Sequence, residues 1–155
     1  MSAELSDDEI VTWWGLVIEG YQATQEHLLG EIARRVGLAP APFDVLLRLI
    51  RSPEHRKPMS QLAAEAALTT GGFTKVADRM VAAGLLRREP SATDRRSVYA
   101  VLTEKGEASA EEARRVCAEV LRERVLQPLG RSRAAGLAST MRTLRATNAP
   151  EAASG

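Results

Sequence analysis

Apolar residues recur at intervals of three and four from Ile10 to Ile32, and this spacing predicts one long amphipathic helix. Ser6 followed by Glu9 matches a capping box, in which each side chain accepts the other residue's backbone N–H. The helix is therefore expected to begin directly after Ser6. Its length is unusual for an isolated small domain, so its apolar stripe needs cover from outside the domain core.

The middle of the chain predicts a helix–turn–helix followed by a hairpin. A second helix has Pro42 near its start. An Ala-rich helix over about residues 60–67, a turn at 68–70 and a further helix that stops at Gly84 give two short helices joined tightly. The segments "LLRRE" and "RSVYAVLT" are typical of two strands, joined by a "PSATD" loop. The upstream segment "PEHRKP" is predicted to be a loop.

The remainder predicts two more amphipathic helices. Thr103 caps the first, Pro128 and Gly130 interrupt it, and Ser132 starts the last. This order of elements indicates a mainly α fold with a small β-hairpin wing, a winged helix–turn–helix. The terminal helices carry apolar stripes that the small winged-helix core cannot cover, so a second copy is the simplest cover. We therefore expect an N-terminal dimerisation helix, a winged helix–turn–helix region, C-terminal dimerisation helices and a disordered tail, at residues 1–38, 39–103, 104–147 and 148–155.

Charge is distributed unevenly although its total is small. The 155 residues carry a formal net charge of +1. Residues 1–33 hold seven carboxylates and no Lys or Arg, whereas residues 69–96 hold six Lys and Arg against three acids, a local charge of +3. A basic centre therefore coincides with the predicted helix–turn–helix and hairpin.

Cysteine usage and the N-terminus indicate the compartment. Cys117 is the single cysteine, so no intramolecular disulfide can form and a reducing environment is the natural setting. The acidic N-terminus lacks the basic and apolar regions of a signal peptide, and no apolar run approaches the length of a membrane span. We expect a cytoplasmic protein.

The helix after the turn combines a buried face with a face of hydroxyl, glycine and cationic residues. Lys and Arg pair with guanine edges, Thr contacts a thymine methyl or a phosphate, and adjacent glycines let a DNA backbone approach the amides. These candidate DNA-binding residues are Thr70, Gly71, Gly72, Thr74, Lys75 and Arg79. At the hairpin tip, Asp94 can hold one guanidinium while Arg95 or Arg96 projects into a narrow minor groove. Residues 39–103 are therefore predicted to bind DNA.

The stretch "TTGGFTKVADRMVAAGLLRREPSATDRRSVYAVLTEKG" resembles the core of the MarR family of bacterial transcription regulators. The resemblance lies in the Thr-containing recognition helix, the "AAGLLRR" exit, the "DRR" wing and the "LTEKG" entry to the next helix. It implies an obligate homodimer whose terminal helices intertwine and whose two winged helices bind the halves of a palindromic operator, in major grooves about 10 bp apart. It places the six residues of the recognition helix in or beside the major groove, with Arg95 or Arg96 as wing contact and Asp94 as its anchor.

The same resemblance implies a small-molecule effector. Family members usually release DNA when a phenolic or acidic molecule binds between the dimer helices and the winged helix. Trp13, Trp14 and Asp44 resemble residues that line this pocket in the urate-responsive subgroup, which suggests a phenolic or purine-like anion. The alternatives are that one Trp is dimer core and that Asp44 is a first-turn acid favoured by the helix dipole.

Other classes of function have less support in the sequence. Cys117 allows a redox-responsive regulator, but its place on an apolar helical stripe favours a small buried hydrophobe. His27 and His55 fall on different elements without a Cys partner, so no metal site is expected, and no cofactor motif is present. No catalytic constellation suggests an enzyme. A winged helix used only for protein contact would need an apolar recognition face, which Thr74, Lys75 and Arg79 do not supply.

Overall fold

The computed structural model describes residues 4–66 and 70–149, which form two compact units divided between Ala118 and Glu119. In chain order the first unit contains α1 (Asp7–Val36), α2 (Pro40–Ile50), a 3-10 turn (Pro53–His55), β1 (Arg56–Pro58), α3 (Met59–Glu65), α4 (Thr70–Ala82), β2 (Leu86–Pro90), β3 (Val98–Leu102) and most of α5 (Glu104–Leu121). The second unit contains the end of α5, a π-helical turn (Arg122–Leu126) and α6 (Gln127–Asn148). The predicted mainly α fold with a small β wing is confirmed.

Helix α1 begins where the sequence predicts. The Oγ of Ser6 accepts the N–H of Glu9 at 3.3 Å, and Glu9 Oε2 accepts the N–H of Ser6 at 2.9 Å, so both halves of the capping box form. Gly37 ends the helix in a left-handed conformation with φ 73°, which glycine adopts without steric cost. Among the described residues of α1, Leu28 and Ile32 are the buried ones, so the core holds one end of this helix.

The core of the first unit lies between α2, α3, α4 and the sheet. Its side chains come from all of these elements, which ties the helix–turn–helix to the wing. Each large apolar side chain that is fully buried contributes roughly 1.5–3 kcal/mol to folding. The largest fully buried ones are Ile32, Leu46, Leu49, Leu62, Met80, Val45 and Val116.

The wing is a three-stranded antiparallel sheet in the order β1-β3-β2. In the hairpin, Leu86 pairs with Leu102 and Pro90 with Val98. The predicted loop "PEHRKP" is therefore wrong in its second half, because β1 occupies it and pairs with β3, with Arg56 opposite Val101. A strand of three residues has no room for an alternating pattern, and its partner is distant in sequence. Its proline lies at the strand end on an edge, where a missing N–H costs little.

The predicted helix boundaries differ from the structure at two places. The predicted turn at 68–70 lies mostly outside the described residues, since residues 67–69 are not described and α4 begins at Thr70. The range Gln127–Asn148 of α6 consists of two helical segments joined by a kink at Gly130, and the second segment is the last helix that the sequence predicts to start at Ser132. The predicted interruption is present at Gly130, which has φ 75° and ψ 161°. The helix extends to Asn148, and residues 150–155 of the predicted tail lie outside the description.

The predicted cap of α5 forms and connects this helix to the base of the wing. Thr103 Oγ1 accepts the N–H of Gly106 at 3.0 Å and donates to the carbonyl of Gly84. The backbone N–H of Thr103 bonds the carbonyl of Leu85 at 3.1 Å. Gly106 packs so closely on Leu85 that a Cβ at this position would lie 2.0 Å from the Leu85 carbonyl oxygen.

Candidate nucleic-acid interface

Helix α4 has one buried and one exposed face, as its sequence predicts. Phe73, Ala77 and Met80 are buried in the core at spacings of four and three. These anchors turn Lys75 and Arg79, which are themselves four apart, toward solvent. The helix is therefore held by its apolar side while its cationic side stays available to a partner.

The charge on the exposed face of α4 is positive because its acid is paired. Asp78 Oδ1 accepts from the guanidinium of Arg88 on β2 at 2.5 Å, so this carboxylate is compensated by the wing. Within the part of the chain that the structure describes, Lys75 and Arg79 take part in no ion pair. Lys75 and Arg79 thus have no ion-pair partner there, and the acid beside them is already paired with Arg88, so this face favours binding of an anionic ligand.

The N-terminal turn of α4 holds the other residues predicted to contact DNA. Thr70 is the first helical residue, and its side chain lies outside the description. Gly71 is exposed, and no atom lies within 4 Å of an ideal Cβ built on it, while Gly72 is half-exposed. Thr74 is exposed one turn further on. An approaching backbone therefore meets little side-chain bulk at Gly71.

The wing loop is closed by its own hydrogen bonds. Ser91 donates its backbone N–H to the carbonyl of Ser97 at 2.9 Å, and Ser91 Oγ accepts the N–H of Asp94 at 3.2 Å. Asp94 Oδ1 in turn accepts the backbone N–H of Arg96 at 2.9 Å. The expectation that Asp94 anchors a guanidinium is thereby corrected, because a carboxylate two residues before an N–H readily forms this local turn. Arg95 and Arg96 are both exposed.

Helix α4 and the wing meet at one cleft. Thr74 of α4 and Arg96 of the wing line the same cavity of about 470 Å³, together with Ser60 of α3 and Ser97. The structure thus brings together residues of the recognition helix and wing that are 22 positions apart in the chain. Ser60 was not predicted, since its place in the cleft depends on how α3 packs and not on a local sequence signal.

The base of the wing is braced by charged groups that the sequence analysis also missed. Glu89 accepts from Arg87 at 2.7 Å and from Arg56 of β1 at 3.1 Å, and these bonds lower the pKa of its carboxyl, the Arg87 bond most. The guanidinium of Arg56 also lies 4.4 Å from the centroid of the Tyr99 ring, a cation–π contact. Because Arg56 lies on the strand that was not predicted, no local pattern indicated this brace.

A second ionic cluster joins α2, β1 and the end of α3. Lys57 Nζ bonds both carboxylate oxygens of Glu65, at 2.8 and 2.7 Å, and Arg48 Nη1 lies 3.8 Å from Glu65. The Lys57 bond is the main cause of a lowered pKa of the Glu65 carboxyl, against a smaller desolvation effect. Gln61 adds a further bond to Glu65 at 2.9 Å. The cluster therefore holds Glu65, the last residue of α3, in place.

The predicted effector residues lie in two separate places. Asp44 bonds Arg48 Nε at 2.7 Å and lines a cavity of about 280 Å³ with Gln25 and Phe43. Trp13 and Trp14 are 56% and 53% exposed near the other end of α1 and do not line this cavity. Asp44 and Arg48 are spaced i, i+4, a signal from which this cation could have been identified as the acid's partner.

The remaining candidate ligands do not form a site. The pKa of the Cys117 thiol is raised by burial, slightly opposed by Arg51, so little reactive thiolate exists at neutral pH. His55 Nδ1 lies 2.8 Å from Glu107 Oε1, a pair of one His and one acid. Over residues 4–66 and 70–149 no group of three or more His, Cys, Asp or Glu is placed to hold a metal ion. No described helix is long and apolar enough to cross a membrane.

A large apolar surface is exposed on the N-terminal half of α1. Val11 is 71% exposed and Tyr21 64%, and their neighbours on the helix are similar. A contiguous patch of this kind marks an interaction surface in soluble proteins. The exposed members in α1 are Ile10, Val11, Trp13, Trp14, Leu16, Val17, Ile18 and Tyr21.

Comparison with known proteins connects this geometry to a family. The MarR family profile matches residues 36–97, which run from the end of α1 through the wing loop. In structure, the chain is similar to Sco3205, a MarR family transcriptional regulator from Streptomyces coelicolor in complex with DNA, with a TM-score of 0.82 and 25% identity over 99% of this chain and 96% of that one. The chain belongs to the MarR family.

Two further relatives agree with membership of the MarR family. The chain is similar to the transcriptional repressor CouR bound to a 23-mer DNA duplex, with a TM-score of 0.74 and 30% identity over 92% of this chain and 99% of that one. It is 35% identical over 86 residues to the HTH-type transcriptional regulator MhqR of Bacillus subtilis (strain 168). That alignment covers 56% of this chain and 57% of MhqR, so it spans little more than half the relative's length. The family is one of transcriptional regulators, and the expectation that the chain is not an enzyme is confirmed.

Proposed function

We propose that this MarR-family chain binds double-stranded DNA and represses transcription from a palindromic operator in the bacterial cytoplasm. The observation that carries the proposal is an exposed cationic face on α4 beside an exposed pair of arginines on the wing. An α-helix fits the major groove, and a short basic loop fits the minor groove. Sco3205 and CouR, which share this fold, are both described in complex with DNA.

Each residue on this surface has a separate part in the proposed complex. Lys75 and Arg79 contact base edges or phosphates in the major groove, and Arg95 or Arg96 enters the minor groove. Asp94 keeps the wing loop in shape through its bond to the Arg96 backbone. The hydroxyl and glycine positions at the start of α4 receive the phosphate backbone: Thr70, Gly71, Gly72 and Thr74.

The proposed regulator is a homodimer. Its support is the exposed apolar surface of α1, because a chain with so much apolar area in water gains free energy when a second copy covers it. A two-fold axis then presents two copies of α4 to half-sites about 10 bp apart. Residues 1–38 and 104–147 are the proposed dimerisation segments.

Fluorescence anisotropy with a duplex from upstream of the chain's own gene tests DNA binding. We expect Lys75→Ala, Arg79→Ala and the double variant Arg95→Ala with Arg96→Ala each to weaken binding by about tenfold, roughly 1–3 kcal/mol per lost contact. Arg114→Ala is the matched control, because Arg114 is an exposed arginine of α5 that is already paired with Glu111 at 2.7 Å. Wild-type affinity in all three test variants would assign DNA contact to another face.

We further propose an effector that releases the DNA, a phenolic or purine-like anion bound near Asp44. The cavity that Asp44 lines at the start of α2 supports it. Trp13 and Trp14 do not line this cavity, and their part in binding the effector stays a prediction. Asp44→Asn should keep DNA affinity but blunt release when aromatic acids and purines are titrated, because an amide oxygen is a weaker acceptor for the effector's N–H or O–H groups than the Asp44 carboxylate. Glu54→Gln, an exposed acid in the 3-10 turn, is the control. Equal release from the wild type and Asp44→Asn would remove this cavity from the mechanism.

A further inference from the structure

The segment by which the chain leaves α4 bonds its amides and its carbonyls to different partners. The N–H of Gly84 bonds the carbonyl of Val81 at 2.9 Å, which closes the end of the helix. The N–H of Leu85 bonds the carbonyl of Met80, also at 2.9 Å. A helix end leaves carbonyls that need partners from outside the helix. Here three successive carbonyls, those of Ala83, Gly84 and Leu85, all accept from residues at the start of α5.

Two residues at the start of α5 supply these three donors. Thr103 donates its backbone N–H to Leu85 at 3.1 Å and its hydroxyl to Gly84. Lys105 donates its Nζ to the carbonyl of Ala83 at 2.9 Å. The Lys105 side chain also passes over Gly84, because its Cδ lies 3.7 Å from an ideal Cβ built on that glycine. A clamp of three hydrogen bonds therefore joins the exit of α4 to α5.

Lys105 is the member of the clamp with no second task. Across residues 4–66 and 70–149 it forms no ion pair. Its ammonium lies at the C-terminal end of α4, where the helix dipole is negative, so its bond to Ala83 is charge-assisted. Thr103 by contrast also caps α5, by accepting the N–H of Gly106. Replacing Lys105 therefore loosens the clamp without uncapping a helix.

The clamp lies at the end of α4 that is opposite to the candidate DNA-contacting first turn. Helix α4 has 13 residues, so it is about 20 Å long. A rotation of about 5° about the exit therefore moves the first turn by about 1.7 Å, more than half the length of a hydrogen bond. Gly84, in the exit itself, has φ 76°, and glycine resists such a rotation less than other residues do.

We propose that Lys105 is a positioning residue for DNA binding, whose bond to Ala83 sets the separation and tilt of the two α4 helices in the dimer. The inference rests on the proposed homodimer and its palindromic operator. Lys105 lies at the start of the proposed dimerisation segment 104–147, so its bond fixes each α4 to the part of the chain that the two copies share. Helices that are already spaced for the two half-sites lose less conformational freedom when they bind.

Operator duplexes with altered half-site spacing test this role in the full chain. The probe is the duplex from upstream of the chain's own gene, with its palindrome located by footprinting and one base pair inserted or removed at the centre. Lys105→Met keeps the length of the side chain and removes its donors. We expect the variant to bind the native spacing about threefold to tenfold more weakly than the wild type. Its preference for the native spacing should fall by a similar factor, because loosely held helices fit both spacings.

Salt dependence separates positioning from direct contact with DNA. Lys105 meets no phosphate in the proposed complex, so the slope of log K against log salt should be the same for Lys105→Met and the wild type. Lys105→Arg restores a cationic donor and should recover the spacing preference. Arg51→Met is the matched control, because the exposed Arg51 also donates to a carbonyl at a helix end, that of Leu47 at 3.0 Å, but within its own helix α2. It should leave the spacing preference unchanged.

A measurement without DNA separates this inference from the function on which it rests. Nitroxide labels at Lys75→Cys, in a Cys117→Ser background, report the distance between the two α4 helices by pulsed electron paramagnetic resonance. We expect adding Lys105→Met to broaden the distance distribution, and adding Arg51→Met to leave it unchanged.

The possible results either support or overturn the positioning role. For Lys105→Met, an unchanged distance distribution, an unchanged spacing preference or a shallower salt slope would each overturn it, as would equal effects from Arg51→Met. In all these cases a wild type that binds the operator duplex leaves the proposed function standing. A wild-type chain that shows no distance between two α4 helices and binds no duplex would overturn the proposed function itself.

Discussion

Replacing Gly106 with alanine tests how the wing is joined to α5. An ideal Cβ at Gly106 would lie 2.0 Å from the carbonyl oxygen of Leu85 and 3.2 Å from Leu102 Cδ2. A carbon–oxygen contact is normally about 3.3 Å, so the two backbone segments must separate by about 1.3 Å. Neither side can rotate away, because the contact is with backbone and the Leu85 carbonyl already accepts the N–H of Thr103.

The expected loss of stability follows from two opposing effects. Alanine in a helix is favoured over glycine by about 1 kcal/mol. Overpacking a rigid contact costs about 1–3 kcal/mol and more where backbone must move, so we expect a net loss of about 2 kcal/mol. For a chain of this size that loss lowers Tm by about 4–8 °C. Leu85 directly precedes β2, so the displacement also reaches the wing, and DNA affinity should fall with it.

Thermal unfolding at one fixed protein concentration provides the measurement, since the proposed dimerisation would make Tm depend on concentration. Gly30→Ala is the matched control, because it is also a helical glycine but has no atom within 4 Å of its ideal Cβ. It should raise stability by about 0.5–1 kcal/mol. If Gly106→Ala is as stable as Gly30→Ala, the tight contact between α5 and the wing does not exist in solution.

Two other predictions concern charged groups beside α4. The lowered pKa of Glu65 in the folded state means that its pairing stabilises the protein above the ordinary carboxyl pKa, near 4.5, and that this contribution is lost as pH falls through the folded-state pKa. At pH 7 the free energy of unfolding of Glu65→Gln should therefore be about 1 kcal/mol lower than that of the wild type, and in denaturant titrations this difference should shrink below about pH 4.5. A difference that does not change with pH would contradict the pairing with Lys57. Asp78→Asn should tighten binding to duplex DNA about threefold, because it removes a carboxylate from the cationic face of α4. Arg88→Ala should weaken binding, because it leaves the Asp78 carboxylate without its cationic partner. Equal DNA affinities in the two variants would place α4 away from the DNA.

The features that the sequence predicted best are those set by neighbouring residues. Ser6 and Glu9 are three positions apart, so their capping box depends on local geometry alone. The faces of α4 follow from the spacing of Phe73, Ala77 and Met80, because one helical period decides which side the core takes. The candidate DNA-binding face could therefore be named before the structure was known.

The features that the sequence missed depend on contacts between distant segments or on a choice between equivalent partners. Strand β1 is defined by pairing with β3, and nothing within Arg56–Pro58 signals it. Asp94 had two chemically reasonable partners in Arg96, the guanidinium and the backbone N–H, and turn geometry selected the N–H. Ser60 entered the cleft through the packing of α3. In each case tertiary structure supplied information that local spacing does not contain.

The salt dependence of duplex binding tests the central claim most directly. Each cation that neutralises a phosphate gives a slope of about −0.9 in a plot of log K against log salt. Removing one wing contact from each of two copies should therefore make the slope shallower by about 2. We predict this change for Arg95→Ala with Arg96→Ala, in complexes that contain two chains per duplex. An unchanged slope, or a complex with one chain per duplex, would contradict a dimer that grips DNA with both wings.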